Sequence, residues 1–126
     1  MSNEEKQYDL EDRLINFAVR IIQLAESLPR TKVGYHIAEQ IMRSGTSPAS
    51  NYGEAQSAES TTDFIHKMKI CLKELRETKV WLTMISRAKL ISSTAKIDSL
   101  LDENEQLILI FYTSIKTAAK NKIKKS

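Results

Sequence analysis

Three stretches of this sequence place apolar residues at alternating spacings of four and three, as on one face of a helix that packs against other helices. The spacing predicts helices at roughly residues 9–27, 61–88 and 94–119. We call the apolar residues of such a face its seam. The three seams are Leu10, Leu14, Phe17, Ile21, Leu24 and Leu28; Phe64, Met68, Cys71, Leu75, Thr78, Leu82 and Ile85; and Ile97, Leu101, Asn104, Ile108, Phe111, Ile115 and Ala118. Only three Gly and two Pro interrupt the 126 residues, which argues against a turn-rich all-β fold.

A fourth stretch, residues 32–57, keeps the helical spacing, but half of the residues on that face are small or polar. The residues of that face are Val33, Ile37, Ile41, Ser44, Pro48, Asn51 and Ala55. One interpretation is a single helix kinked near Pro48, because proline removes the backbone hydrogen bond to Ser44. The other is a break, with Ser47 capping a new helix that begins at Pro48. We favour the kinked helix, whose small residues would let a neighbouring helix approach closely.

Short connections at residues 29–31, 58–60 and 89–93 place consecutive helices side by side and antiparallel. The sequence therefore predicts an all-α fold, an antiparallel up-down-up-down four-helix bundle. We expect a single domain over residues 1–126, with flexible ends at residues 1–8 and 120–126.

Composition narrows the class of protein. The longest apolar run, Leu107 to Tyr112, is too short to span a membrane, and the acidic N-terminus does not resemble a secretion signal. A single cysteine, Cys71, excludes an intramolecular disulfide. These features predict a cytoplasmic protein with no membrane partner.

Residues with catalytic or metal-binding chemistry are sparse. A di-iron bundle needs two Glu-x-x-His motifs, whereas this chain offers only Asp63 with His66 three residues later. Cys71 lies on a seam, where an inert core residue is expected. The acidic residues that could act as acid or base, Glu54, Glu59, Glu74 and Glu77, are more simply solvated or paired with Lys and Arg. We predict no enzyme, no metal and no cofactor.

More apolar residues are present than one bundle can bury. The first helix carries a second stripe of Ile15, Val19 and Ile22, the third carries Ile70, Val80 and Met84, and Leu107 to Tyr112 makes the fourth apolar nearly all round. Scattered surface residues are one explanation, but large exposed patches usually mark interaction surfaces. We predict a homo-oligomer with Ile15, Val19, Ile22, Leu107, Ile110 and Tyr112 at the interface.

Charge is unevenly distributed around a net +3. The basic residues of the third helix, Lys69, Lys73, Arg76 and Arg87, fall opposite its seam, and the C-terminal segment adds Lys120, Lys122, Lys124 and Lys125. Together they could bind RNA or DNA through phosphate, without sequence preference. The alternative is a solvated helix face on which Glu77 pairs with Lys73 or Arg76.

Three segments resemble one bacterial family: residues 10–18 (LEDRLINFA), residues 43–55 (RSGTSPASNYGEA), and residues 63–65 (DFI) with residues 72–78 (LKELRET). They are similar to the proteins encoded within intervening sequences of 23S rRNA genes, the S23 family, and the resemblance covers about residues 10–118.

The resemblance implies a four-helix bundle that assembles as a ring-shaped homopentamer without enzymatic activity. It also implies kinship to the accessory proteins of diversity-generating retroelements, which bind nucleic acid. Arg43, Asn51, Glu54 and Glu74 match the family's polar motif, and we expect them to form one hydrogen-bond network between helices, with Arg43 paired to a carboxylate. A small-ligand site is the alternative. On the network hypothesis, replacing Arg43 with Met should be severely destabilising.

Overall fold

A computed structural model describes residues 3–125 of the chain, and the side chains of residues 9–124. Over that range the chain forms four helices and no strand: α1 (Asn3–Ser27), α2 (Lys32–Gln56), α3 (Thr61–Arg87) and α4 (Thr94–Lys125). The prediction of an all-α bundle of four helices is confirmed. Residues 1, 2 and 126 lie outside the described residues, so the expected flexibility of the two ends stays a prediction.

The helices begin and end close to the predicted positions, except at the chain ends. Thr31 caps α2 by accepting a hydrogen bond from the Gly34 amide at 3.1 Å, and Ser60 caps α3 by accepting one from the Asp63 amide at 3.0 Å. Helix α1 begins six residues before the predicted start and α4 ends six residues after the predicted end. Both extensions are polar, so the apolar spacing used for the prediction could not reveal them.

Helix α2 runs without interruption through Pro48. The alternative of two helices divided at Ser47 is therefore wrong, whereas a bend in the axis at Pro48 stays a prediction. The close approach expected of the small residues occurs at Gly45, because a β-carbon there would lie only 2.7 Å from Cγ2 of Ile21 in α1. Nothing larger than glycine fits between the two helices at that point without displacing Ile21.

Most of the predicted seam residues lie in the core, but Val33 of α2 is 57% exposed, and the buried face of α4 also differs from the prediction. The largest side chains with almost no exposure include Phe17, Ile41, Leu75 and Phe111. On α4 the fully buried residues are Ile97, Leu100, Asn104, Leu107 and Phe111, whereas the predicted seam residues Leu101 and Ile108 are only half-buried against the core. Because apolar residues occupy every side of this part of α4, their spacing does not determine which side faces inward. The prediction placed Leu101 and Ile108 in the core, whereas the structure buries the preceding residues, Leu100 and Leu107.

Among the side chains that the structure describes, three polar ones lie fully within this core: Ser44, Thr78 and Asn104. The hydroxyl oxygens of Ser44 and Thr78 are 2.9 Å apart, and Thr78 Oγ1 is also 2.9 Å from the Glu74 carbonyl oxygen. The amide group of Asn104 has no hydrogen-bond partner among the described residues. Since a buried polar group without a partner costs free energy, Asn104 is a weak point of the core.

Helices adjacent in sequence pack extensively against each other, whereas α1 and α4 touch at few positions. Long polar side chains bridge that gap: Arg13 forms an ion pair with Glu103 at 2.6 Å, and Arg20 donates a hydrogen bond to Ser99 at 2.7 Å. Glu103 raises the pKa of Arg13 through this hydrogen bond. The residue nearer the start of α1, Arg13, contacts the residue farther along α4, Glu103, and this reversed order is that of two antiparallel helices.

Candidate interaction surfaces

Apolar side chains remain exposed on the outer side of α1. Ile15 is 47% exposed and Val19 is 46% exposed, while Ile22 is half-buried. Asp12 and Glu26 continue the same spacing of three and four at the two ends of this group, and both are exposed. We call Asp12, Ile15, Val19, Ile22 and Glu26 the α1 stripe.

A second exposed apolar group lies on α3. Val80 is 51% exposed and Met84 is 45% exposed, and both line a groove with Ile37 of α2 and Ala88. Arg87 also lines this groove, and Lys69, Lys73 and Arg76 lie exposed along the same side of the helix. We call the set Lys69, Lys73, Arg76, Val80, Met84 and Arg87 the α3 stripe.

On α4 the predicted interface residues divide into three kinds. Tyr112 is half exposed and Ile110 is half-buried. Leu107 has no exposure at all, so assigning it to an interface between subunits was wrong: it packs in the core of a single chain. Leu109, which the sequence prediction left out, is the more exposed residue at 64%.

The predicted nucleic-acid residues are exposed wherever their side chains are described. In that part of the chain Lys69, Lys73, Arg76 and Arg87 form no ion pair, although the sequence left open a pairing of Lys73 or Arg76 with Glu77. Lys120, Lys122 and Lys124 are exposed on α4, and Nζ of Lys122 donates a hydrogen bond to Thr62, which brings the end of α4 beside the start of α3. The side chain of Lys125 lies outside the described residues.

Arg43 forms the expected bridge between helices, but with one unexpected partner. Its guanidinium donates to Glu74 at 2.8 Å and to Glu77. Glu77 also accepts a hydrogen bond from the indole nitrogen of Trp81 at 3.0 Å, and the ring of His36 lies edge-on to Trp81 with 6.1 Å between ring centres. The cluster is therefore Arg43, Glu74, Glu77, Trp81 and His36, across α2 and α3.

The other two residues of the expected network lie elsewhere. The side-chain amide of Asn51 donates to the carbonyl oxygen and hydroxyl of Ser47, within its own helix. Glu54 is exposed and pairs with Lys67 at 3.5 Å. The prediction of one network joining Arg43, Asn51, Glu54 and Glu74 was wrong, because Asn51 bonds within α2 and Glu54 forms a separate ion pair with Lys67 of α3.

Sequence reasoning missed Glu77, Trp81 and His36 as members of the cluster. The spacing of four between Glu77 and Trp81 was a usable signal, since residues four apart meet on a helix surface. Nothing in one sequence shows how α2 lies lengthwise against α3, so His36 could not be placed beside Trp81.

The residues considered for catalysis are paired, exposed or buried in the core. Among the described residues no three His, Cys, Asp or Glu side chains converge as metal ligands would. Glu54, Glu74 and Glu77 each pair with a cation, and Glu59 is exposed.

Cys71 is fully buried, its thiol donates to the Pro48 carbonyl oxygen at 3.6 Å, and burial raises the pKa of that thiol to about 12. Such a thiol stays protonated and unreactive at neutral pH. Nor has any described helix the length and apolar character that crossing a bilayer requires.

Comparison with known proteins identifies a family and solved structures with similar sequences and folds. Residues 6–112 match the family model described as 23S rRNA-intervening sequence protein. Among solved structures, the chain is similar to a protein of unknown function from the S23 ribosomal protein family of Bacteroides thetaiotaomicron VPI-5482, a crystal structure at 1.70 Å resolution. The two are 34% identical with a TM-score of 0.79, over 85% of this chain and 98% of the other. No curated protein matches the chain significantly.

Proposed function

Since the chain belongs to the 23S rRNA-intervening sequence protein family, we propose that it is a non-enzymatic helical bundle that associates with itself and serves as a scaffold or adaptor in the bacterial cytoplasm. The resemblance to this family is the source of the more specific proposal of a pentameric ring. Kinship to retroelement accessory proteins is part of the same proposal and follows from the same resemblance.

The observation that carries this proposal is the pairing of a complete core with exposed apolar surface. The seams already fill the interior of one chain, yet Ile15, Val19, Val80, Met84 and Leu109 remain about half exposed or more. Fully burying a side chain of this size contributes roughly 1.5–3 kcal/mol. A second copy of the chain is the simplest partner that could cover these residues.

The proposal that the protein is not an enzyme rests on how its polar side chains are used. The acidic residues with partners hold neighbouring helices together, as Glu74 and Glu77 do with Arg43. The buried thiol of Cys71 is held in the protonated form. Glu74 and Glu77 are thereby engaged in ion pairs between helices, and the thiol of Cys71 is a neutral group of the core.

Light scattering coupled to size exclusion tests the proposal. We expect a particle several times heavier than the 14.4 kDa chain, and about five times heavier if the ring is a pentamer. Dilution should shift the mass towards that of the single chain. A particle of 14.4 kDa at every concentration would contradict self-association.

A second candidate function, binding of RNA or DNA, is favoured by one observation: Lys69, Lys73, Arg76 and Arg87 are exposed and have no acidic partner among the described side chains. Filter binding of duplex and single-stranded RNA across a salt series tests it. We expect the affinity to fall steeply as salt is added. When Lys73 and Arg76 are replaced by Gln, this dependence of the affinity on salt should become less steep. Lys79→Gln is the matched control, since Lys79 already pairs with Glu105 at 2.6 Å.

A further inference from the structure

The α1 stripe and the α3 stripe are both apolar at the centre but carry opposite charge. In the α1 stripe, Ile15 and Val19 lie between the acidic residues Asp12 and Glu26. In the α3 stripe, Val80 and Met84 lie between Arg76 and Arg87. Each stripe has the apolar centre and polar ends typical of an interface.

Contact between two identical stripes is unfavourable in both cases. If two α1 stripes met about a twofold axis, Asp12 of one copy would lie near Glu26 of the other. If two α3 stripes met in the same way, Lys69 would lie near Arg87. Like charges brought together in this way oppose association.

Contact between the two different stripes removes both problems. Resting on the self-association proposed above, we propose that the α1 stripe of one subunit docks on the α3 stripe of the next, so that the partner of each stripe is a second copy of this chain. The acidic ends of one stripe then meet the basic ends of the other, and Ile15 and Val19 cover Val80 and Met84.

This arrangement has two physical consequences. Because the two surfaces differ, an open assembly has one unused stripe at each of its two ends. It can therefore add further subunits as a filament or close into a ring, in which no stripe is left unused. Because opposite charges meet, added salt weakens the association. The arrangement also brings the two acidic residues Asp12 and Glu26 near basic residues of the α3 stripe, which pair with no carboxylate among the described side chains of one chain.

Two blocked variants test the proposal. The first, Ile15→Arg with Val19→Arg, blocks the α1 stripe; the second, Val80→Arg with Met84→Arg, blocks the α3 stripe. Each variant alone should be a monomer by light scattering. An equimolar mixture should form a 1:1 dimer and nothing larger, since it contains one intact stripe of each kind. Thr117→Arg with Asn121→Arg, at exposed positions of α4 two turns or more beyond Leu109, is the matched control and should keep the wild-type mass.

The possible failures can be told apart. A monomeric wild type overturns self-association itself. If the wild type assembles but the α3-blocked variant keeps the full mass, only the pairing of stripes is overturned. The pairing is also overturned if the wild type assembles while the mixture of the two blocked variants stays monomeric. If the α3-blocked variant assembles while Lys73→Glu with Arg76→Glu abolishes RNA binding, the α3 stripe contacts nucleic acid and the proposal is overturned.

Circular dichroism checks that each blocked variant is folded. Should one fail to fold, charge exchange at exposed positions replaces it: Asp12→Lys with Glu26→Lys in one chain, and Arg76→Glu with Arg87→Glu in the other. Each of these chains should be a monomer, and mixing the two should restore assembly. Failure of the mixture to assemble while the wild type assembles would overturn the pairing.

Discussion

Gly45 of α2 lies against Ile21 of α1 so closely that a β-carbon on the glycine would be 2.7 Å from Cγ2 and 2.8 Å from Cγ1 of the isoleucine. Ile21 is fully buried and β-branched, so its side chain has little freedom to move aside. The distance between α1 and α2 is therefore set by the absence of a side chain at Gly45.

Gly45→Ala should destabilise the protein. Crowding against Ile21 costs about 1–3 kcal/mol, of which alanine recovers about 1 kcal/mol through its higher helix propensity. Gly53→Ala is the matched control, because a β-carbon at Gly53 meets nothing within 4 Å and only the gain in propensity remains. Urea denaturation measures both variants, and a Gly45→Ala protein as stable as Gly53→Ala would show that the two helices are free to move apart.

Asn104→Leu should stabilise the protein. The side chain of Asn104 is fully buried with no hydrogen-bond partner among the described residues, and leucine has a similar size and no polar atom to satisfy. We expect the free energy of unfolding to rise by about 1–3 kcal/mol. Leu107→Asn, the reverse change one turn away in the same core, should be strongly destabilising. A loss of stability in Asn104→Leu would mean that the amide group has a partner in solution.

Arg43→Met should destabilise the protein only modestly, contrary to the expectation from sequence. Glu74 is largely buried, with 13% of its side chain exposed, but Arg43 is 50% exposed, and ion pairs of such residues contribute about 0.2–1 kcal/mol each. The decrease in melting temperature should become smaller in 1 M salt. Lys67→Met, which breaks the exposed pair with Glu54, provides the comparison. A decrease that high salt leaves unchanged would point to lost packing instead of lost charge.

Cys71 should make stability fall as pH rises above 9. Burial raises the pKa of the folded thiol from 9.0 to about 12, so between these values the unfolded chain releases a proton that the folded chain keeps. Stability is then lost with increasing pH, by up to about 1.4 kcal/mol per pH unit. Cys71→Ala removes this contribution, and its free energy of unfolding should decline less steeply between pH 9 and 10.5. Equal slopes in the two proteins would contradict the shift.

Much of the fold could be predicted from spacing alone, because the core of a helical bundle imposes its period on the sequence. The seams of α1 and α3 correspond closely to the buried residues, and Pro29 and Ser60 mark true helix boundaries. The face of α4 could not be fixed at Leu107, where apolar residues surround the helix. The partners of Arg43 depend on how far α3 is shifted along α2, a distance that no local pattern records.

The sparse contact between α1 and α4 has a consequence for how the chain folds. Nearly all the packing joins helices that are consecutive in sequence, so each hairpin can form as soon as its second helix is complete. Chains dominated by such local contacts fold in microseconds to milliseconds, because little loop entropy is lost before packing begins. During synthesis the first hairpin can close while the last is still being translated. Helix α4 then docks on α3, places Phe111 against Tyr52 of α2, and forms the ion pair between Glu103 and Arg13 of α1.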